Sequence, residues 1–114
     1  MKVVKWEDGK LGDPTKPPPR HSGWGGISLH GKDTGTQRIA VSVAHFVPGG
    51  GNERGPRPTP DAEVILYILS GSMTIKTGKE EATLNPNDSV YFPPGEERET
   101  RNNGVVPLTY LVIR

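Results

Sequence analysis

Residues 48–75, PGGGNERGPRPTPDAEVILYILSGSMTI, decide how the rest of the chain is read. Six consecutive apolar residues, Val64 to Leu69, follow a polar loop dense in proline and arginine. They include β-branched and aromatic members and are bounded by turn residues, which is the pattern of a buried strand. The run is too short to span a membrane. Ser70-Gly71 then turns the chain into a second short strand, Met73-Thr74-Ile75, so this stretch predicts a hairpin near the middle of a β-sheet protein.

Working outward, the same pattern repeats. Upstream, Gln37 to Val47 (QRIAVSVAHFV) alternates with Val41, Val43, His45 and Val47 on one face and Ser42, Ala44 and Phe46 on the other. Both faces are largely apolar, as expected of a strand between two packed layers. Pro48 to Gly51 is expected to end it. Downstream, short strands are expected at Glu81–Leu84, Ser89–Phe92, Arg98–Arg101 and Leu108–Ile113, with turns at Thr77–Glu80, Asn85–Asp88, Pro93–Gly95 and Asn102–Gly104. Strands at this spacing, separated by Gly, Pro and Asn, predict an all-β sandwich or barrel. Residues 1–38 read as an arm. Val3 to Trp6 suits a short strand, 11–20 an extended polyproline-like segment, Ser22 to Gly26 a flexible turn around Trp24, and Ile27 to His30 another strand.

The 114 residues suffice for one domain with a modest core. Net charge is +1 and the pI about 8.0, with Lys and Arg interleaved with Glu and Asp. No concentrated basic stripe calls for nucleic acid as a partner. The absence of cysteine excludes a disulfide framework, a thiolate metal site and a cysteine nucleophile. Met1 to Asp8 lacks the apolar core of a signal peptide, so a cytoplasmic protein with no membrane partner is expected. Gly and Pro together supply 27 residues, and most lie between periodic apolar segments, which makes them turns of a β-protein rather than a disordered tract.

Two segments resemble the sequence motifs of the cupins. The strand ending Tyr67-Ile68-Leu69-Ser70-Gly71 is similar to the close of the family's first motif. Asn87 to Asn102 (NDSVYFPPGEERETRN) is similar to its second, G-x5-P-x-G-x2-H-x3-N, with Pro93, Gly95 and Asn102 in place, Asn87 at the first glycine and Arg98 at the histidine. The resemblance covers roughly 48–102 and implies a double-stranded β-helix, the cupin jelly-roll barrel, with an N-terminal arm (1–38) lying on the barrel (39–114) or on a partner subunit, in a homodimer. It also implies positions for metal ligands, which fall on Pro58, Pro60, Val64 and Arg98. Proline and valine carry no donor side chain, and arginine cannot give up its proton. A slip of one residue in the loop would offer Arg57, Thr59 and Glu63, again not a usual metal set. No metal and no other cofactor is therefore expected.

The candidate site residues follow from these positions. Arg98, if it points into the barrel, suits a carboxylate or phosphate; otherwise it pairs with a carboxylate such as Glu63 or Glu97. Arg57 would add a second cation at the cavity mouth and Thr59 a hydroxyl. Glu63 faces away from Val64 by alternation unless the loop slips. His45, on a strand, is a candidate general base or a core histidine. Tyr91 and Tyr110 each offer a hydroxyl, as acid or base for the first and toward a substrate for the second. Together these describe a metal-independent enzyme acting on a small anionic compound, of isomerase, lyase or decarboxylase type. The alternatives are a non-catalytic small-molecule binding or sensing barrel, or a metalloenzyme with atypical ligands drawn from His30, His45, Glu53 or Glu63.

Overall fold

The computed structural model describes residues 1–57 and 61–114. Among the described residues nine strands follow one another: β1 (Lys10–Leu11), β2 (His21–His30), β3 (Val41–Asn52), β4 (Val64–Ser70), β5 (Met73–Lys76), β6 (Glu81–Leu84), β7 (Ser89–Phe92), β8 (Glu99–Arg101) and β9 (Leu108–Ile113). The helical content is two single turns, Trp6–Asp8 and Lys32–Thr34. All pairings are antiparallel, and the order β6-β5-β8-β3-β9-β4-β7, with β2 on β3 and β1 on β2, wraps into a jelly-roll barrel.

The central strand is β3. Its first half pairs with β9 from Val41↔Ile113 to Phe46↔Leu108, and its last two residues pair with β8 as Gly51↔Arg101 and Asn52↔Thr100. Pro48-Gly49-Gly50-Gly51 does not end the strand, as the sequence suggests, but bends it from one half of the barrel to the other. Gly49 takes φ +83°, and a side chain on Gly51 would run into the Thr100 carbonyl. The glycines serve backbone curvature and close approach, which is a strand function as much as a turn function.

Two other expectations change. Ser22 to Gly26 is not a turn: it lies inside the ten-residue strand β2, paired to β3 from His21↔Asn52 to His30↔Val41 with shifts at Ser22/Trp24 and Ser28/His30. Trp6 belongs to a helical turn rather than a strand.

The core lies between the two halves of the barrel. Ala44 and Phe46 face Val64, Leu66, Ile68, Met73, Ile75, Phe92, Leu108 and Tyr110, all buried. Alternation on β4 therefore turns Val64, Leu66 and Ile68 inward and Ile65, Tyr67 and Leu69 outward. Gly71, at φ +78°, closes the β4–β5 turn against Pro107 and Leu108, where a Cβ would lie 2.6 Å from the Pro107 carbonyl. At the first glycine of the second motif stands Asn87, which adopts φ +75° and donates its N–H to the Ile68 carbonyl at 2.8 Å. Asparagine tolerates this left-handed conformation better than other side-chain-bearing residues, so the replacement keeps the turn.

Candidate functional site

One end of the barrel holds a cavity of about 350 Å³. Its inner wall is apolar, made by Ala44, Val64, Leu66 and Val112 from β3, β4 and β9. Trp24 closes one side, its indole lying against the backbone of Gly12 and Gly26 so that a Cβ on either glycine would overlap the ring. The polar wall carries Arg98, Arg57, His21, Asn52, Thr100 and Arg114. Among the described residues the lining contains no Asp or Glu.

Arg98 is 7% exposed, and its guanidinium carbon sits 4.1 Å from the centre of the Phe92 ring, a cation–π contact. Among the described residues its side chain forms no ion pair: the observed pairs join Lys10 to Asp33 and Arg101 to Glu53 and Glu99. Burial, reinforced by the neighbouring charge of Arg57, pulls the Arg98 guanidinium down to about 10. Arg57 is lowered for the same first reason, burial, then by Arg20 and Arg114. A cluster of cations that depress one another is a place where an anion gains and the empty protein is under strain.

The floor beneath Arg98 is built by two buried asparagines. Asn52 donates to the Arg98 carbonyl at 3.1 Å and accepts from the Thr100 hydroxyl, locking the approach to β8 against the end of β3. Asn102 donates to the carbonyls of Phe46 at 3.0 Å and Val106 at 2.9 Å, and accepts from the Gly104 N–H at 3.0 Å. Every polar atom of that fully buried amide has a partner.

The sequence-derived candidates separate into two groups. Arg57, Arg98 and Tyr110 line the cavity, and Arg98 and Thr100 share the inward face as alternation requires. Tyr110 is 4% exposed, and burial drives its phenol well above the ordinary tyrosine value, only partly offset by the charge of Arg98. His45, Tyr91 and Glu63 lie elsewhere. His45 alternates with Ala44 and Phe46 and is exposed on the outside, its imidazole over the Gly25 backbone, so it cannot reach the cavity. Tyr91 is 52% exposed on the outer face, and Glu63, accepting its hydroxyl, holds that phenol above its ordinary value. Glu63 is thus turned outward, the unslipped reading. Neither Glu63 nor Glu97 pairs with Arg98. Thr59, with Pro58 and Pro60, lies outside the described residues.

Sequence reasoning missed His21, Trp24 and Asn52. The glycines in HSGWGGISLH hide the alternation that would have marked β2, and Asn52 sits in what reads as a turn.

The cupin motif positions do not fit a divalent metal. Val64 and Arg98 both line the cavity, and neither has a lone pair to give. Among the described residues, no three His, Asp or Glu side chains come together as a metal-holding group.

The comparisons with known proteins agree with this architecture. The polyketide cyclase RemF from Streptomyces resistomycificus superposes with a TM-score of 0.82 at 20% identity, over 99% of this chain and 78% of that one. A protein from Thermotoga maritima described as a predicted oxalate decarboxylase gives 0.80 at 17% identity, covering 99% of this chain and 96% of that one. A sugar phosphate isomerase of the cupin superfamily from Silicibacter pomeroyi gives 0.77 at 18%, covering 98% and 74%. At these identities the likeness speaks for the fold alone. No curated protein matches the sequence. Residues 42–114, from the second residue of β3 through β9 to Arg114, match the family model for the cupin domain, and the chain is a member of the cupin family.

Proposed function

We propose that the barrel binds a small organic anion, held by Arg98 and Arg57, and acts on it without a metal, as an isomerase, lyase or decarboxylase. One observation carries this reading: among the described residues, every charged side chain lining the cavity is a cation. A buried guanidinium cannot be neutralised at physiological pH and needs an acceptor; with none supplied by the described protein, a carboxylate or phosphate entering from solvent supplies it. The apolar wall opposite suits the carbon body of such a ligand, and about 350 Å³ is ample for a small acid. In a site of this kind, guanidiniums also stabilise negative charge that develops on oxygen during proton transfer or decarboxylation. Proteins of similar fold described as a sugar phosphate isomerase, a predicted oxalate decarboxylase and a polyketide cyclase support this reading by analogy of fold alone.

Trp24 supplies the test. Trp6 is exposed and is not among the lining residues, so quenching of the cavity-lining Trp24 reports entry of a ligand. Titration with a panel of small carboxylates and phosphomonoesters is expected to give saturable binding that weakens in Arg98→Met. Turnover of a bound panel member would support the enzymatic reading, and binding of many members with turnover of none would favour a sensing or carrier barrel. Failure of every anion to bind would remove the proposal.

A further inference from the structure

Two histidines line the cavity: His30, at the end of β2, whose Nδ1 lies 3.2 Å from the Thr34 hydroxyl, and His21, which stands among the arginines and whose chemistry the motifs do not account for. It stands at the start of β2, paired with Asn52, and lines the cavity on the same wall as the arginines. Its position is fixed three ways. Its backbone N–H donates to the Pro18 carbonyl at 3.1 Å, and its imidazole stacks on Phe46 with ring centres 5.9 Å apart. Its Nδ1 lies 2.9 Å from the Pro19 carbonyl, which can only accept, so Nδ1 carries the hydrogen and Nε2 keeps the lone pair. The preceding residue, Arg20, is held at φ +61°, a conformation that disfavours a side-chain-bearing residue, while its carbonyl accepts from the Glu53 N–H at 2.9 Å. Among the described residues, Nε2 has no protein hydrogen bond.

The surroundings of the ring are cationic. Arg20 precedes it just before β2, Arg57 faces it from the segment after β3, Arg98 from the segment before β8, and the Tyr110 phenol on β9 packs near Phe46. The β3 residue opposite is the neutral Asn52, and the next, Glu53, is turned to solvent within reach of Arg101. Burial, more than the arginines, holds His21 below its ordinary value, while the Pro19 bond works the other way.

We propose that His21 is the proton-linked group of the anion site: Nε2 takes up a proton from solvent as an anion enters and, keeping that proton, donates a hydrogen bond to the anion. The inference rests on the anion-binding reading above. The empty cavity sets the buried Arg98 guanidinium and the half-buried Arg57 guanidinium against an imidazolium. An anion compensates the guanidiniums and offers Nε2 an acceptor, so the protonated ring becomes favourable only in the complex. Proton uptake and anion binding are then reciprocally linked. Affinity is highest below the pKa of the free site and falls as pH rises through the pKa of the complex, by at most about tenfold per pH unit for one proton.

The test uses benzoate and sulfate, whose own charges are constant between about pH 5 and pH 8, the window of histidine titration. Binding is read from Trp24 fluorescence, and the ring nitrogens of His21 are followed by NMR with and without saturating probe, using His21→Gln for assignment. Expected are an upward shift of the His21 titration in the complex and an affinity that falls with pH in the native protein but is flat in His21→Gln. Probe binding with an unmoved His21 titration overturns the inference and leaves the anion reading standing. Binding by neither probe at any pH overturns both. If His21→Gln fails to fold, the shift measured on the native protein still decides.

Discussion

Arg98 illustrates how far a single position can be read from sequence. The Pro-Pro-Gly turn fixes where the chain re-enters the barrel, and alternation places Arg98 with Thr100, so its inward direction was legible. What it meets inside was not, because Phe92 and Arg57 reach it from distant parts of the chain. The folded protein holds this guanidinium at a cost, since burial lowers its pKa to about 10. Arg98→Met keeps most of the apolar volume and a favourable sulfur–aromatic contact with Phe92. It is expected to leave the thermal midpoint unchanged or slightly raised, while weakening anion binding by about 1.5–3 kcal/mol, the range of a charge-assisted hydrogen bond. Calorimetric unfolding beside a fluorescence titration checks both halves, and a collapse of stability with undiminished affinity would make Arg98 a structural residue. His21 gives the complementary prediction. Its folded pKa is depressed, so its contribution to stability is fully present above the ordinary histidine value. That contribution is lost as pH falls through the lowered folded value, because the unfolded chain binds the proton first. Ligand-free His21→Gln should therefore lose less stability than the native protein between about pH 7 and pH 5, measured by denaturant unfolding at each pH. An identical loss in both would show that His21 titrates as in the unfolded chain.

At the scale of elements, strands carrying an apolar alternation or a compact apolar run were legible to within a residue or so: β4, β5, β6, β7 and β9 begin and end where their turn residues place them. The failures within the barrel sheet, in β2 and β3, are glycine-rich. In β2, Gly23, Gly25 and Gly26 remove the side chains that would reveal a period, and Gly25 is small because His45 of β3 covers it. In β3, the run Gly49-Gly50-Gly51 reads locally as a turn, yet the strand continues because β8 waits on the other side to pair with it. Tertiary pairing overrides the local signal there. The candidate site inherits the same limits, since its motif-borne arginines were legible and its β2 residues were not. Asn102 ties this arrangement together, because its amide holds β3 at Phe46 and the loop to β9 at Val106 and Gly104. Asn102→Ala leaves the buried Phe46 carbonyl, and the part-buried Val106 carbonyl and Gly104 N–H, without that partner. It should cost at least about 1–3 kcal/mol, the penalty for one unsatisfied buried group. Urea unfolding measures it, and a loss below about 0.5 kcal/mol would mean that water replaces the amide at all three points.

At the scale of the whole molecule, the outer face of the sheet asks for a partner, and we propose that the partner is a second copy. The register aligns two apolar rows across four strands. One runs Val41, Ile113, Ile65 and Tyr91 across β3, β9, β4 and β7; the other runs Val43, Leu111 and Tyr67. Ile65 and Tyr91 are 41% and 52% exposed in the single chain. A ladder of this kind is the inner face of a β-sandwich without its other half. The total accessible surface tells the same story. It is 7324 Å² for 12.3 kDa, whereas a compact monomer of that mass exposes about 6100 Å². The excess, about 1200 Å², is spread over the whole chain, including the exposed Val3, Leu11 and Val105, and is larger than the roughly 800 Å² that each partner buries in a stable interface. Two-fold pairing of identical rows is self-complementary, and it would seat Tyr91 and Glu63 at the interface, well away from the cavity. Sedimentation at micromolar concentration is expected to return the mass of two chains. Ile65 lies between Tyr91 and Ile113 in the longer row, so Ile65→Glu places a carboxylate at the middle of the buried strip. The dimer dissociation constant should rise by about a hundredfold or more, roughly 2.8 kcal/mol. The isolated variant should still quench on binding an anion, since Ile65 faces away from the cavity. A native protein that sediments as one chain, or a dimer indifferent to Ile65→Glu, would mean that this face is covered in some other way.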